Sequence, residues 1–259
     1  SKKFLPEILL GHSLIFYLYT GSIITTVLSL SGLVLNILLA NHIMKKIIDF
    51  NINITRLKDA IGLSVIISGG STVIFALFTA FAVWLTDSMP NSNFADQFSF
   101  WWTASFLGIL VFAPPIFIFH GKPYELWEKP DEKEIYTLLS VLVFTGIFLF
   151  SFDYSSRSSL IAGSYIPLGF AVWSVLRYGP GVTSLVSLFV VLISIIGTFF
   201  NGGPFLNQLT ASYPVLLYST LSIFSFSSLI FVSVIAEKRQ ASKILIEEEE
   251  RQIKFLQAI

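Results

Sequence analysis

The 259-residue chain has no cysteine and only two methionines. The first absence excludes disulfides and thiolate metal sites and leaves the redox compartment unreadable. Charge is scarce as well: Asp, Glu, Lys and Arg make up 12% of the residues, about half of what a soluble domain carries. The 16 basic residues are balanced by 16 acidic ones. That balance argues neither for nor against nucleic acid, and no nucleic-acid partner is expected. HExxH, DDxxD, GxSxG, P-loop and GxGxxG patterns are all missing, so this chain is not read as an enzyme and no cofactor or metal is expected. His12, His42 and His120 lie far apart in sequence, where a histidine caps a helix or sits at an interface more often than it binds metal. No charge falls in mid-span, which disfavours proton-coupled transport through buried carboxylates.

What fills the sequence instead is apolar. AVILMFWYC residues account for 54%, Phe alone numbers 26, and the mean hydropathy is +0.77. Ser1 to Phe4 do not form a signal peptide, and the opening without Met fits an excised or processed fragment. A helix needs about 20 apolar residues to cross the hydrocarbon core. Ile8 to Met44 holds no charge and is divided at Gly21-Ser22, predicting a short first span at Leu5–Thr20, with Pro6 and Glu7 at its start and re-entrant or tilted as the alternatives to a plain crossing, and a second beyond it. Ala60–Thr86, Gln97–Phe119, Ile135–Phe152 and Ser158–Leu176 are the third to sixth. Tyr178 to Ala236 is uncharged and contains two more, separated by a turn at Asn201-Gly202-Gly203-Pro204. The expectation is an all-α, polytopic transmembrane bundle of about eight spans.

Basic residues test that count, because cytoplasmic loops collect Lys and Arg. With both termini inside, Lys2, Lys3, Lys45, Lys46, Arg56, Lys58, Lys122, Lys129, Lys133, Arg177, Lys238, Arg239, Lys243, Arg251 and Lys254 all face the cytoplasm, and only Arg157 lies outside. An odd number of spans breaks this alternation. In the third span Ser64, Ser68, Thr72, Ala76 and Ala80 recur every fourth residue, a small-residue face for close helix packing. Gly163, Pro167 and Gly169 predict a kink in the sixth.

After Ala236 the composition changes to that of a solvated helix. The sequence divides into a transmembrane part, 1–236, and a cytoplasmic linker helix, 237–259. Glu247–Arg251 and Glu250–Lys254 are i,i+4 pairs in the favourable order. Ile246, Ile253 and Leu256 make a partial a/d seam, interrupted by Glu249, that suits a homodimeric signalling helix leading to an output domain.

Three segments carry a family resemblance. Tyr165-Ile-Pro167-Leu-Gly-Phe-Ala-Val-Trp173-Ser-Val-Leu-Arg177-Tyr178-Gly-Pro-Gly181 places a Pro ahead of a W-x3-R-[FY]-G turn. Ile196-Gly-Thr198 with Asn201-Gly-Gly-Pro204-Phe205 forms the second, and Phe100-Trp101-Trp102 with Leu107-Gly108 and Ala113-Pro114 the third. Together, from Phe100 to Phe205, they resemble the MASE1 membrane sensor domain. That resemblance implies a bacterial inner-membrane sensor attached to a histidine kinase or diguanylate cyclase, often through PAS modules. The family's opening PPAG-type segment is lacking, and Leu5 to Gly11 corresponds to the stretch after it. One or two N-terminal spans of the pattern are therefore expected to be absent from this chain.

Arg177, with Trp173 one turn earlier and Tyr178 beside it, is the most informative residue. It either snorkels to lipid phosphates or turns inward to hold a carboxylate or a helix end and transmit a state to the tail. Trp101 and Trp102 belong to an interfacial aromatic belt or to the rim of a ligand site. Arg177, Trp173, Tyr178, Pro167, Trp101, Trp102 and Pro204 are the ligand or switch candidates. Expected partners are the lipid bilayer, a second copy of the chain, and a small ligand or partner membrane protein. The competing function is a small-solute transporter or channel, which would call for repeat symmetry between the halves; none is evident.

Overall fold

In lipid every backbone N–H and C=O must find its partner within the segment, which favours helices. The computed structural model describes residues 5–46, 48–52, 54, 56–89, 93–120, 131–151, 169–200 and 213–257, and every regular element among them is helical. In chain order they are α1 (Leu5–Thr20), α2 (Ile23–Lys46), α3 (Leu57–Thr86), α4 (Phe94–His120), α5 (Glu132–Ser151), α6 (169–178), α7 (Pro180–Phe199) and α8 (Tyr213–Gln257). Five of these are long and apolar enough to cross a membrane among the described residues: α2, α3, α4 over Phe94–Ile118, α7, and α8 from Pro214. The expected first span is helical but only 16 residues long, short of a full crossing. The expected fifth, Ile135–Phe152, overlaps α5, which is not among the five, and Phe152 lies outside the described residues. The sixth is described only from 169, so Gly163 and Pro167 lie outside the described residues, as does the turn with Pro204.

Contacts divide the chain into two compact units, Ser1–Phe50, Gly62–Leu110 and Thr210–Ser222 in one, Asn51–Ile61, Val111–Leu209 and Ile223–Ile259 in the other. In the first, α1 stops at Gly21, whose φ of 66° breaks the helix. Ser22 then caps α2, its Oγ accepting the Thr25 N–H at 3.2 Å. Helix α2 buries Thr25, Ser29, Gly32, Asn36 and Ile43 along one stripe. Its neighbour α3 presents the small face expected from the sequence: Ser64, Ser68, Thr72, Ala76 and Ala80 are all fully buried. The approach is close enough that a Cβ on Gly32 would lie 2.5 Å from Phe78 Cβ. Hydroxyls bridge the seam, Ser29 to Thr79 at 3.0 Å and Thr25 to Thr86 at 2.6 Å.

The second unit packs with larger side chains. Leu138 and Leu142 of α5, Ala171 and Tyr178 of α6, Val186 and Val190 of α7 and Phe224 of α8 form one buried cluster. The turn joining α6 to α7 depends on Gly179, at φ 78° and ψ −167°, a conformation essentially reserved for glycine. Pro180 follows as the first residue of α7, where its missing N–H costs nothing. Thr183 Oγ1 donates to the Gly179 carbonyl at 2.8 Å, bracing the turn, and Ser174 Oγ, which donates to the Ala171 carbonyl at 2.8 Å, lies 3.1 Å from Thr183 Oγ1.

Candidate functional site

Helix α8 is a single element of 45 residues, about 68 Å at 1.5 Å per residue. The hydrocarbon core is about 30 Å thick, so much of α8 must project beyond it. Along the helix Leu229, Val232, Ser233 and Ala236 are buried, whereas Glu237 and Lys238 are exposed. Between Ser233 and Arg239, where burial ends, two other parts of the second unit are tied to α8 by polar contacts.

The first tie is the segment leading into α3. Glu237 Oε2 accepts the Leu57 N–H at 3.2 Å, while Ser233 Oγ, which donates to the Leu229 carbonyl at 2.9 Å, packs 3.4 Å from the Ile54 carbonyl. A carboxylate at a helix N-terminus satisfies an orphan donor and meets the positive end of the helix dipole. Ile54 is fully buried at φ 51°, a conformation that a β-branched residue holds only under tertiary constraint. The segment is braced from within by Asp59, also fully buried. It accepts Arg56 Nε at 2.6 Å, Arg56 NH2 at 2.9 Å and the Asn51 N–H at 3.1 Å. A buried carboxylate is tolerable only with such a forked guanidinium and a further donor.

The second tie is to α6, since Arg239 NH2 donates to the Leu176 carbonyl at 2.9 Å, near the negative end of that helix. Beside it an ion pair joins α6 to α5: Arg177 NH2 pairs with Glu134 Oε1, in the first turn of α5, at 2.8 Å. This contact gives Arg177 a carboxylate on a neighbouring helix. The side chains are 52% and 38% exposed, so the pair fixes orientation more than it adds stability. Tyr178 is buried beneath it, its ring 6.3 Å from that of Trp173.

A scan against family models finds the MASE1 model over residues 4–240, nearly the whole chain. The chain belongs to the MASE1 family. MASE1 is a non-catalytic, multi-pass membrane sensory domain of bacterial signalling proteins. No curated protein and no solved structure matches the chain.

The remaining candidates of this MASE1 domain are spread more widely. Arg177, Trp173 and Tyr178 gather at the α8 ties, and Pro167 and Pro204 lie outside the described residues. Trp101 and Trp102 sit in the first unit, half-buried, with both indole N–H groups on protein acceptors: Gln97 Oε1 at 3.1 Å and the Gly69 carbonyl at 2.9 Å. Trp101 packs on Phe16 and Phe100 at centroid distances of 5.3 and 5.1 Å. In the tail, Ile246, Ile253 and Leu256 are exposed. Arg251 Nε donates to the Glu247 carbonyl at 3.3 Å, although the sequence had pointed to its carboxylate.

Asp59, Ile54, Glu134, Ser233, Glu237 and Arg239 were not singled out from the sequence. A signal existed for one of them: Arg56-x-x-Asp59 places opposite charges one turn apart at a helix start, and Asp59 is the sole acid between Phe50 and Thr86. Glu237 carried none, because its partner Leu57 is 180 residues away.

Proposed function

We propose that this MASE1 domain detects a stimulus within its spans and relays it along α8 to a cytoplasmic output domain, a histidine kinase or a diguanylate cyclase, through PAS modules. The observation that carries this reading is the exit of α8. One uninterrupted helix passes from a buried stretch ending at Ala236 to an exposed one, and its last buried turn is tied to the start of α3 and the end of α6. A small movement of either helix would be felt by α8 through Glu237 or Arg239. A stimulus drives such a change only if it binds the two arrangements with different affinity.

In this reading residues 1–236 are the sensory bundle of eight spans, with both termini cytoplasmic in the bacterial inner membrane, and 237–259 are the signalling helix. Two copies associate through Ile246, Ile253 and Leu256, whose exposure on a charged helix leaves an apolar strip to cover. Arg177 and Glu134, with Trp173 and Tyr178, hold α5 and α6 in register beneath the exit.

The absence of cysteine makes the test direct. Single cysteines at positions 246, 253 and 256 should give disulfide-linked dimers in membranes under mild oxidation, whereas cysteines at 247 and 251 should not. Equal cross-linking at all five positions would sink the paired-helix reading. Thiol labelling of a cysteine placed at position 3 or 257 from the cytoplasmic side only would support the topology, and labelling from the outside would overturn it.

A further inference from the structure

Residues Gly62–Ser71 of α3 are wound as a π-helix and Thr72–Thr86 as an α-helix. A π ring closes on residue i+5 and an α ring on i+4, so a carbonyl is left without a backbone donor where one ladder hands over to the other. In a span no water is at hand to replace that donor. Three side chains reach carbonyls at this handover. Ser71 Oγ donates to Ile67 O at 2.6 Å, Thr72 Oγ1 to Ser68 O, and Trp102 Nε1 to Gly69 O at 2.9 Å. Thr72 Oγ1 also lies 3.4 Å from Gly69 O, but its one hydrogen is committed to Ser68. The donor to Gly69 is therefore Trp102, from a different helix.

Trp102 is aimed by its neighbours on α4. Its ring is stacked with Phe98 and with Phe106, each at 6.2 Å and within 8° and 16° of parallel. The indole cannot swing away without disturbing both stacks. The acceptor side is built loosely. A Cβ on Gly69 would meet only Ser64 O at 3.6 Å and Phe106 Cε2 at 3.8 Å, and one on Gly70 only Val65 O at 3.8 Å. Crowding therefore does not account for the Gly69-Gly70 pair. What two glycines supply is a weak preference for α winding, which narrows the gap between two helical forms. The Ser64 hydroxyl, in the same segment, is buried with no hydrogen-bond partner, so the π form leaves one polar group unsatisfied.

We propose that Gly62–Ser71 is a two-state element, wound as a π-helix while the Trp102 indole holds the Gly69 carbonyl and rewound as an α-helix when that hydrogen bond is released. Rewinding turns the start of the segment against the rest of α3 by on the order of one residue, about 100°. A ligand that offers an acceptor to the indole N–H favours the α form because it binds only that form. The latch goes beyond the sensory reading and stands or falls without it.

The test uses the cysteine-free chain in lipid nanodiscs, with single spin labels at positions 63, 65, 66 and 67. Oxygen accessibility should be high at Val65 and Ile66, which are 55% and 39% exposed, and low at Leu63 and Ile67, at 1% and 3%. Trp102→Phe keeps the stacked column and removes the N–H. It should move the accessibility maximum by about one residue, about 100°, whereas Trp101→Phe should leave it in place. An unmoved maximum in Trp102→Phe would overturn the proposal. In the unsubstituted chain the Trp102 indole N–H should exchange with deuterium more slowly than that of Trp84, which is 59% exposed. Equal rates would overturn the proposal even if the substituted chain failed to insert.

Discussion

The α2–α3 seam and the ties around α8 hold helices together by opposite means. The seam contains no charge: glycine, alanine, serine and threonine bring two backbones close, and hydroxyls join across it. The ties use Arg56, Asp59, Glu134, Arg177, Glu237 and Arg239, charges gathered around the starts of α3 and α5 and the end of α6. Both answer the same problem, since lipid removes the hydrophobic drive between helices and leaves packing and hydrogen bonds to do the joining. They differ in how they fail. A close-packed seam is broken by adding atoms, whereas a polar tie is broken by removing a partner and leaving the other behind.

The largest effect should come from the buried half of the polar system. Arg56→Met strands the Asp59 carboxylate and should lower stability by about 3 kcal/mol, the low end for a broken buried pair because Arg56 is 35% exposed. Unfolding by SDS titration in bicelles would measure it, and Asp59→Leu added to Arg56→Met should restore most of the loss. Gly32→Ala tests the seam. Its methyl must displace Phe78, at a cost of about 1–3 kcal/mol by the same titration. No change there would mean that the seam is not close-packed. Gly179→Ala should cost about 1–2 kcal/mol through backbone strain alone. The smallest effect belongs to the exposed pair: Glu134→Gln should change stability by about 0.5 kcal/mol or less, with salt erasing even that. A loss above about 1 kcal/mol would show that Arg177 and Glu134 are coupled to the buried core below them.

These contrasts track what was legible in the chain. Ser64, Ser68, Thr72, Ala76 and Ala80 could be recognised as one face because their spacing is helical and local. Gly21-Ser22 was readable as a break because glycine and serine end and begin helices for reasons contained in a few residues. The π winding inside the same stripe was not readable, since the every-fourth-residue pattern is compatible with either ladder and the choice rests on Trp102, some thirty residues further on. The expected role of Trp101 and Trp102 at a belt or a ligand rim rested on residue type. Their acceptors, Gln97 and the Gly69 carbonyl, depend on how α4 is placed.

By itself the sequence determined that this is an all-helical membrane domain, where α1 gives way to α2, and the composition change at Ala236, because hydropathy, glycine and charge act over a turn or two of chain. The family too was within reach, through motifs that are contiguous. Only the tertiary structure decided that Asp59 is buried under Arg56, that Glu237 caps α3 and that Arg177 turns to Glu134. Each of those contacts exists because the packing of the helices holds a donor and an acceptor at hydrogen-bond distance, and spacing in the sequence does not encode that distance.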